Sequence, residues 1–269
     1  MPGTYHIVVC GSIVPDPLQT LEPIESPTGP ALKNEMMLPA VLDPWAGHAL
    51  YEAANLAKAH PGSKVWLVSV APKAKLQQVL MSVAQKVPFE LVAVEGASNG
   101  FTEASEVAAS LAGAIEGIAE LDRDRLLLFG GWESASRGAG AVMQMVAEQL
   151  GVTEQFQGVD VIEVADDDQF LIKERIEGGS YLVSECSGCP ILLGWATGNL
   201  PEPKNNPQVG MMNMPKVMPA LQKATQAEIT TGDLKYQSVS LPKQARETRV
   251  EKNLSSDEVA KEIAEWLKQ

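Results

Sequence analysis

Histidine and cysteine are scarce in this chain, three of each in 269 residues. Cys10 stands alone, and Cys186-Ser-Gly-Cys189 is a single Cys-x-x-Cys, too little for a disulfide framework. A redox pair of this kind starts a helix that lowers a thiol pKa, whereas this one lies between a strand and Pro190; no second pair or nearby histidine completes a zinc site. Two thiols in a tight connection, without a function, are expected there. His6 falls in the first strand, His48 in the first helix and His60 at that helix's end, none beside a nucleophile in a strand-to-helix elbow. A hydrolytic triad therefore has no support, and no catalytic residue is assigned. Positive charge is short as well: 21 Lys and Arg against 34 Asp and Glu leave a net charge of −13, which argues against nucleic acid or an anionic membrane as the main partner. No run approaches the roughly 20 apolar residues of a membrane span, and the first residues enter a strand without a signal-peptide pattern, so no membrane insertion and a cytoplasmic location are expected. Asp166-Asp167-Asp168 lacks the loop ligands of an EF-hand and is expected to be a solvated turn, so no metal is assigned.

What is present is an α/β rhythm. At 45% apolar residues the chain can bury one large core with appendages. His6–Cys10 is a short buried strand, followed by a Pro-rich extended excursion from Pro15 to Pro30, for which a hairpin arm is one expected form. Asp43-Pro44 starts a helix with Ala49, Leu50, Ala53, Ala54, Leu56 and Ala57 on its apolar face, ended by Pro61-Gly62. Val65–Val70 and Leu91–Val94 read as strands, and stripes at Leu76, Val79, Leu80, Val83, Val87 and at Val107, Ala108, Leu111, Ile115, Ile118 read as helices. Leu126–Phe129 is the next strand, which Gly130-Gly131 is expected to break before a helix returns with Val142, Met145 and Val146. This succession predicts a doubly wound, mostly parallel sheet. Then come short strands at Val159–Val164, Phe170–Ile176 and Ser180–Glu185 with a Gly178-Gly179 turn, and Pro190–Gly194 as the last strand. Thr197 to Pro219 carries repeated Pro, Gly, Asn and Met without a period and is expected to be a long functional loop; its methionines suit a contact surface and core cover equally. Ser255-x-x-Glu258 is a capping box ahead of an amphipathic helix bearing Val259, Ile263, Trp266 and Leu267.

Ligands of open α/β sheets sit outside the carboxyl ends of the strands, where helix N-termini meet phosphates. After Phe129, the residues Ser134, Ser136, Arg137, Gly138 and Gly140 can supply hydroxyls, one charge and unhindered backbone. An ordinary strand-to-helix loop is the competing reading, since Gly-Gly is neither a Walker nor a dinucleotide fingerprint.

The order of parts resembles the β (small) subunit of the electron-transfer flavoprotein family over nearly the full length, as a divergent member. Asp43-Pro-Trp-Ala-Gly-His-Ala-Leu-Tyr-Glu-Ala53 is similar to the family's Asn-Pro-Phe-Asp-Glu-Ile-Ala-Val-Glu-Glu-Ala, and Val68-Ser-Val-Ala-Pro72 to its Val-Ser-Cys-Gly-Pro. Lys173-Glu-Arg-Ile-Glu-Gly-Gly179 with Cys189-Pro-Ile-Leu-Leu193 resembles its charged strand, acidic-Gly-Gly turn and Pro before a buried strand. Leu200-Pro-Glu-Pro-Lys204 is similar to its Leu-Asn-Glu-Pro-Arg, and Met214-Pro-Lys-Val-Met218 to its Leu-Pro-Asn-Ile-Met. Where the family uses Thr-Gly to hold phosphate, this chain has Val142-Met143.

The resemblance implies a Rossmann-like, adenine-nucleotide-hydrolase-like core with late hairpin strands, a C-terminal arm and a helix. It implies a heterodimer with an electron-transfer flavoprotein α subunit that carries FAD. Electrons would come from a flavin-dependent dehydrogenase and pass to a quinone-linked oxidoreductase. On this chain it implies AMP, or a second FAD, in a pocket lined by Cys10, Gly11, Asp43, Ser69, Val70 and the loop of Glu133, Ser134, Ser136, Arg137, Gly138, Gly140 and Ala141. Leu200 corresponds to the family's partner-recognition leucine. The expected division is a core at 1–221 and an arm with its helix at 222–269, docking on the partner subunit. Two other classes stay open: a stand-alone nucleotide-binding or hydrolysing enzyme of the same fold, and a structural subunit without nucleotide.

Overall fold

The computed structural model describes residues 3–27, 29–165, 169–229, 236–240 and 250–268. The continuous apolar runs become the middle of a sheet because both of their faces are covered by helices. In chain order the elements begin β1 (His6–Cys10), β2 (Ile13–Pro15), β3 (Pro23–Ser26), β4 (Gly29–Leu32), β5 (Ala40–Leu42), α1 (Pro44–Ala59), β6 (Lys64–Ala71), α2 (Lys73–Val83), β7 (Glu90–Glu95) and α3 (Ala104–Glu116). They continue with β8 (Leu126–Gly131), α4 (Ala141–Gln149), β9 (Glu154–Val164), β10 (Gln169–Arg175), β11 (Tyr181–Ser187), β12 (Ile191–Trp195), α5 (Pro207–Gln222), β13 (Thr225–Gln226) and α6 (Ser256–Trp266).

The main sheet runs β11-β10-β9-β12-β8-β1-β6-β7-β13, parallel throughout except for the two antiparallel pairs β9/β10 and β10/β11. One face packs on α1, α2 and α5 through residues such as Leu50, Leu80 and Val217; the other packs on α3 and α4 through Leu111, Ile115 and Val146. This is the expected doubly wound α/β fold. From β1 the chain adds β6 and β7 on one side, then crosses back to place β8 on the other, so the topological switch lies between β1 and β8. The excursion after β1 pairs β2 with β5 and folds β3 on β4 as a hairpin.

Four local expectations are corrected. Gly130 and Gly131 do not break the strand; they stay in β8, opposite Gly194 and Trp195 of β12. Close packing is what they serve, since a Cβ on Gly131 would lie 2.5 Å from Trp45 Cβ and 2.7 Å from the Glu133 carbonyl oxygen. On α4 the core face is Met143, Val146 and Ala147, while Met145 is exposed. The third correction concerns the Thr197–Pro219 loop, which ends at Asn206; the rest is α5. Asn206 caps that helix by accepting the Gln208 N–H at 3.0 Å, and Pro207 occupies the first turn. Gly210, Asn213, Val217 and Leu221 form its buried face, while Pro215 and Pro219 lie on the exposed one, where water reaches the carbonyls they leave without a donor. Asn213, only 3% exposed, donates its side-chain amide to the carbonyls of Ala84 and Val87, both at 2.7 Å, and so seats α5 on the end of α2. Lastly, β12 is not the final strand, because β13 adds to β7.

The capping box at Ser255 and Glu258 forms as expected, and all described residues of α6 are exposed, with Trp266 at 71%. The Asp166-Asp167-Asp168 turn lies outside the described residues.

Candidate nucleotide site

Outside the carboxyl ends of β1, β6 and β8 lies a cavity of about 360 Å³, toward the lower end of the size range of small-molecule sites. Its apolar wall comes from Ile13, Val14, Val70, Val107, Leu111 and Met143. Its polar wall comes from two loops, 98–103 ahead of α3 and 133–140 ahead of α4. Neither helix has a side chain capping its N-terminus, with Glu103 and Gly140 at the cap positions. Two helix N-termini with their partial positive charge therefore border one cavity, an arrangement suited to an anion.

Asp43 ties the site together. Its backbone N–H donates to the Ser12 carbonyl at 2.8 Å. One carboxylate oxygen accepts the Trp45 N–H at 3.0 Å, capping α1, and the other accepts the Ala135 N–H at 2.9 Å, anchoring the 133–140 loop. Burial pushes the Asp43 carboxyl above its ordinary range, with the Glu133 charge adding to the shift, against the hydrogen bonds that it accepts. The two loops also close on each other: Arg137 donates to the Thr102 carbonyl at 2.6 Å, and a Cβ on Gly100 would lie 3.2 Å from that of Ser136. In loop 98–103, Asn99 and Thr102 hold the turn through Phe101 N–H to Asn99 Oδ1 at 2.7 Å and Asn99 N–H to Thr102 Oγ1 at 2.9 Å.

Of the residues expected at the pocket, Cys10, Asp43, Val70, Glu133, Ser134, Ser136, Arg137, Gly140 and Ala141 line the cavity. Gly11, Ser69 and Gly138 do not. Ser69 is fully buried and donates to the Gly11 carbonyl at 2.7 Å, and Gly11 faces Leu42 and Leu67 of the core. Burial pushes the Cys10 thiol up to about 12, so it acts as a small apolar group. The whole 98–103 loop was missed from the sequence, although Asn99-Gly100 is a turn signal between a strand and a helical stripe. Among the lining residues Arg137 is the single cation, against the carboxylates of Asp43, Glu103 and Glu133.

Elsewhere, Leu200 is half-buried; its N–H donates to Glu52 Oε1 at 3.3 Å, which ties the segment to α1. Cys186 is buried in the core beneath α1, α2 and α5, and the half-buried Cys189 packs against it; burial, and secondarily the Glu154 charge, raises the pKa of Cys186. Among the described residues no three His, Cys, Asp or Glu side chains gather in a metal-binding arrangement, and no helix is long and apolar enough to cross a membrane. Residues 34–235, well over half of the chain, match the family model described as electron transfer flavoprotein domain. No curated protein matches the chain.

Proposed function

The chain belongs to the electron transfer flavoprotein family, and from that premise we propose that it is the β (small) subunit of a heterodimeric electron carrier. Its partner is an α subunit, and FAD, when bound to that subunit, supplies the redox chemistry. This chain contributes a scaffold, a nucleotide site and the surface that receives a flavin-dependent dehydrogenase, with a quinone-linked oxidoreductase as the onward acceptor. The carrying observation is the cavity at the switch point, bordered by the uncapped N-termini of α3 and α4.

The lining suits a mononucleotide. An adenine and ribose fit against Val70, Val107 and Leu111, and phosphate oxygens fit the first turns of α3 and α4 beside Ser134, Ser136 and Arg137. Val142 offers no hydroxyl where the family has threonine, so the backbone N–H groups of that turn carry the recognition. A cavity of about 360 Å³ favours AMP over FAD, which has more than twice as many atoms. Nucleotide released by acid precipitation of the freshly purified heterodimer tests this: one AMP per complex is expected. A second reading, a structural subunit without nucleotide, is favoured by the three carboxylates facing the cavity, and no released nucleotide would establish it.

The division into a core at 1–221 and an arm at 222–269 belongs to the same proposal. Of that arm, residues 230–235, 241–249 and 269 lie outside the described residues. The exposure of Val259, Ile263 and Trp266 on α6, and of Leu267 just after it, supports docking on the α subunit. Obligate interfaces bury about 2,000 Å² or more, so the chain expressed alone should not sediment as a well-behaved monomer at micromolar concentration. Leu200 is the proposed anchor for the dehydrogenase, with Asn199 and Glu202 at its wet rim.

A further inference from the structure

Between β12 and α5 the chain runs as an irregular segment whose backbone donors have no strand or helix to meet. Two carboxylates receive them. Asp160 Oδ1 accepts the N–H groups of Thr197 at 3.3 Å and Gly198 at 3.1 Å, and Glu52 Oε1 accepts those of Asn199 at 3.0 Å and Leu200 at 3.3 Å. Four successive amides thus converge on two side chains, one from β9 and one from α1. Gly198 makes the turn possible: its φ is +60°, and a Cβ there would lie 2.5 Å from Glu52 Oε1.

Asp160 is itself held. It is 2% exposed, and Arg175 of β10 donates to its two oxygens, each at 2.9 Å, with the Tyr181 hydroxyl of β11 at 3.2 Å. Arg175 also donates to the Thr197 hydroxyl at 2.6 Å, so the antiparallel strands and the segment share one network. The far end is fixed independently: Glu202 pairs with Lys86, and the Asn206 N–H donates to the Gln85 carbonyl at 2.8 Å. Leu200 and Pro201 are stretched between these two anchors.

We infer that Glu52 and Asp160 are positioning residues that hold the backbone of 197–200 and so set the pose in which Leu200 meets the electron donor. The inference rests on the reading of Leu200 as the dehydrogenase anchor. A segment ordered before encounter loses less conformational freedom on binding, so removing its anchors weakens docking without touching the electron-transfer step. An N–H bond to a carboxylate is stronger than a neutral one, and Glu52 uses a single oxygen for both amides, so Gln at this position keeps the acceptor.

The test uses the purified heterodimer, with the flavin dehydrogenase that reduces the wild-type complex as donor, and compares Glu52→Ala, Glu52→Gln, Asp160→Asn and Leu200→Ala. Amide exchange over 197–202 is read by mass spectrometry, and KM and kcat by flavin reduction. Glu52→Ala is expected to exchange about tenfold faster at 199–200 and to raise KM several-fold at constant kcat, with Glu52→Gln restoring both. Asp160→Asn, a second variant should Glu52→Ala fold poorly, is expected to speed exchange at 197–198. Unchanged exchange in Glu52→Ala and Asp160→Asn overturns the inference. So does a raised KM in Leu200→Ala that Glu52→Ala does not share, which leaves the docking role of Leu200 standing. An unchanged KM in Leu200→Ala removes that docking role, and this inference with it.

Discussion

Arg137 offers the sharpest test of the cavity, because its guanidinium is the single cation among the lining residues and is already partly committed. One of its five N–H donors goes to the Thr102 carbonyl at 2.6 Å, which leaves the rest of the fork for a phosphate. A charge-assisted hydrogen bond contributes about 1.5–3 kcal/mol, and the exposure of Arg137 to water lowers that to about 1–2 kcal/mol. Arg137→Ala should therefore weaken AMP binding by about five- to thirtyfold. The loss of the tether to Thr102 should cost about 1 kcal/mol, because Thr102 is buried while the Arg137 end of the bond is open to water. Glu133→Gln should act in the opposite sense and tighten AMP binding, since it removes one of the three negative charges among the lining residues. Both are measured by calorimetric titration of the nucleotide-stripped heterodimer at two salt concentrations, with the Arg137 effect shrinking at the higher one. An unchanged Kd in Arg137→Ala, or a weaker one in Glu133→Gln, would refute the placement of phosphate at this wall.

Three further outcomes follow from other parts of the molecule. Asn213→Ala should destabilise the chain by about 2–4 kcal/mol in urea titration, because two carbonyls lose their donor where α5 meets α2; a loss below about 1 kcal/mol would mean that water reaches them. Burial raises the Glu52 carboxyl above its ordinary range, against the two amide bonds and with the Asp160 charge adding. A raised folded-state pKa contributes stability that is present below the unfolded value and lost as pH rises through the folded one. The stability of wild type relative to Glu52→Gln should accordingly fall as pH rises across the mildly acidic range, and a flat difference between the two urea midpoints would contradict it. Ile263→Lys on α6 should weaken association with the α subunit about tenfold or more while leaving the melting temperature of this chain unchanged, which sedimentation and calorimetry read separately.

Most of the fold was legible because its signal is local. Leu126–Phe129 and Ile191–Leu193 are apolar without interruption, as a strand covered on both faces is, and both are short and bounded by glycine or proline. The stripes of α2 and α3 repeat at helical spacing on the strands they cover. α5 was not legible for a physical reason. Its buried positions Gly210, Asn213, Val217 and Leu221 include a glycine and an asparagine, so the apolar period is erased, and two prolines sit on the other face. Proline forbids an interior helical hydrogen bond, yet it costs less where the freed carbonyl faces water and the opposite face is seated by tertiary contacts. Gly130-Gly131 misled in the same way, since a glycine pair reads as a turn but here allows β8 to pass between Met143 of α4, against Gly130, and Trp45 of α1 with the Glu133 carbonyl, against Gly131.

The candidate site divides along the same line. Loop 133–140 was visible because it follows a strong strand and carries serines, glycines and an arginine. Loop 98–103 was not, since what makes it part of the cavity is the crossover that returns the chain from β7 to β8, a property of sheet order rather than of residues. The carboxylates show the limit most clearly. Asp43 reads from the sequence as a helix cap before a proline and is one, but its second oxygen holds Ala135, 92 positions farther along the chain. Glu52 and Asp160 read as ordinary acidic residues in a chain of net charge −13. Their partners are backbone amides, which every residue has and no sequence pattern distinguishes. The groups that shape the Leu200 segment therefore leave no trace in composition or spacing, and only the fold, by bringing α1 and β9 to the end of β12, gives those two charges something to hold.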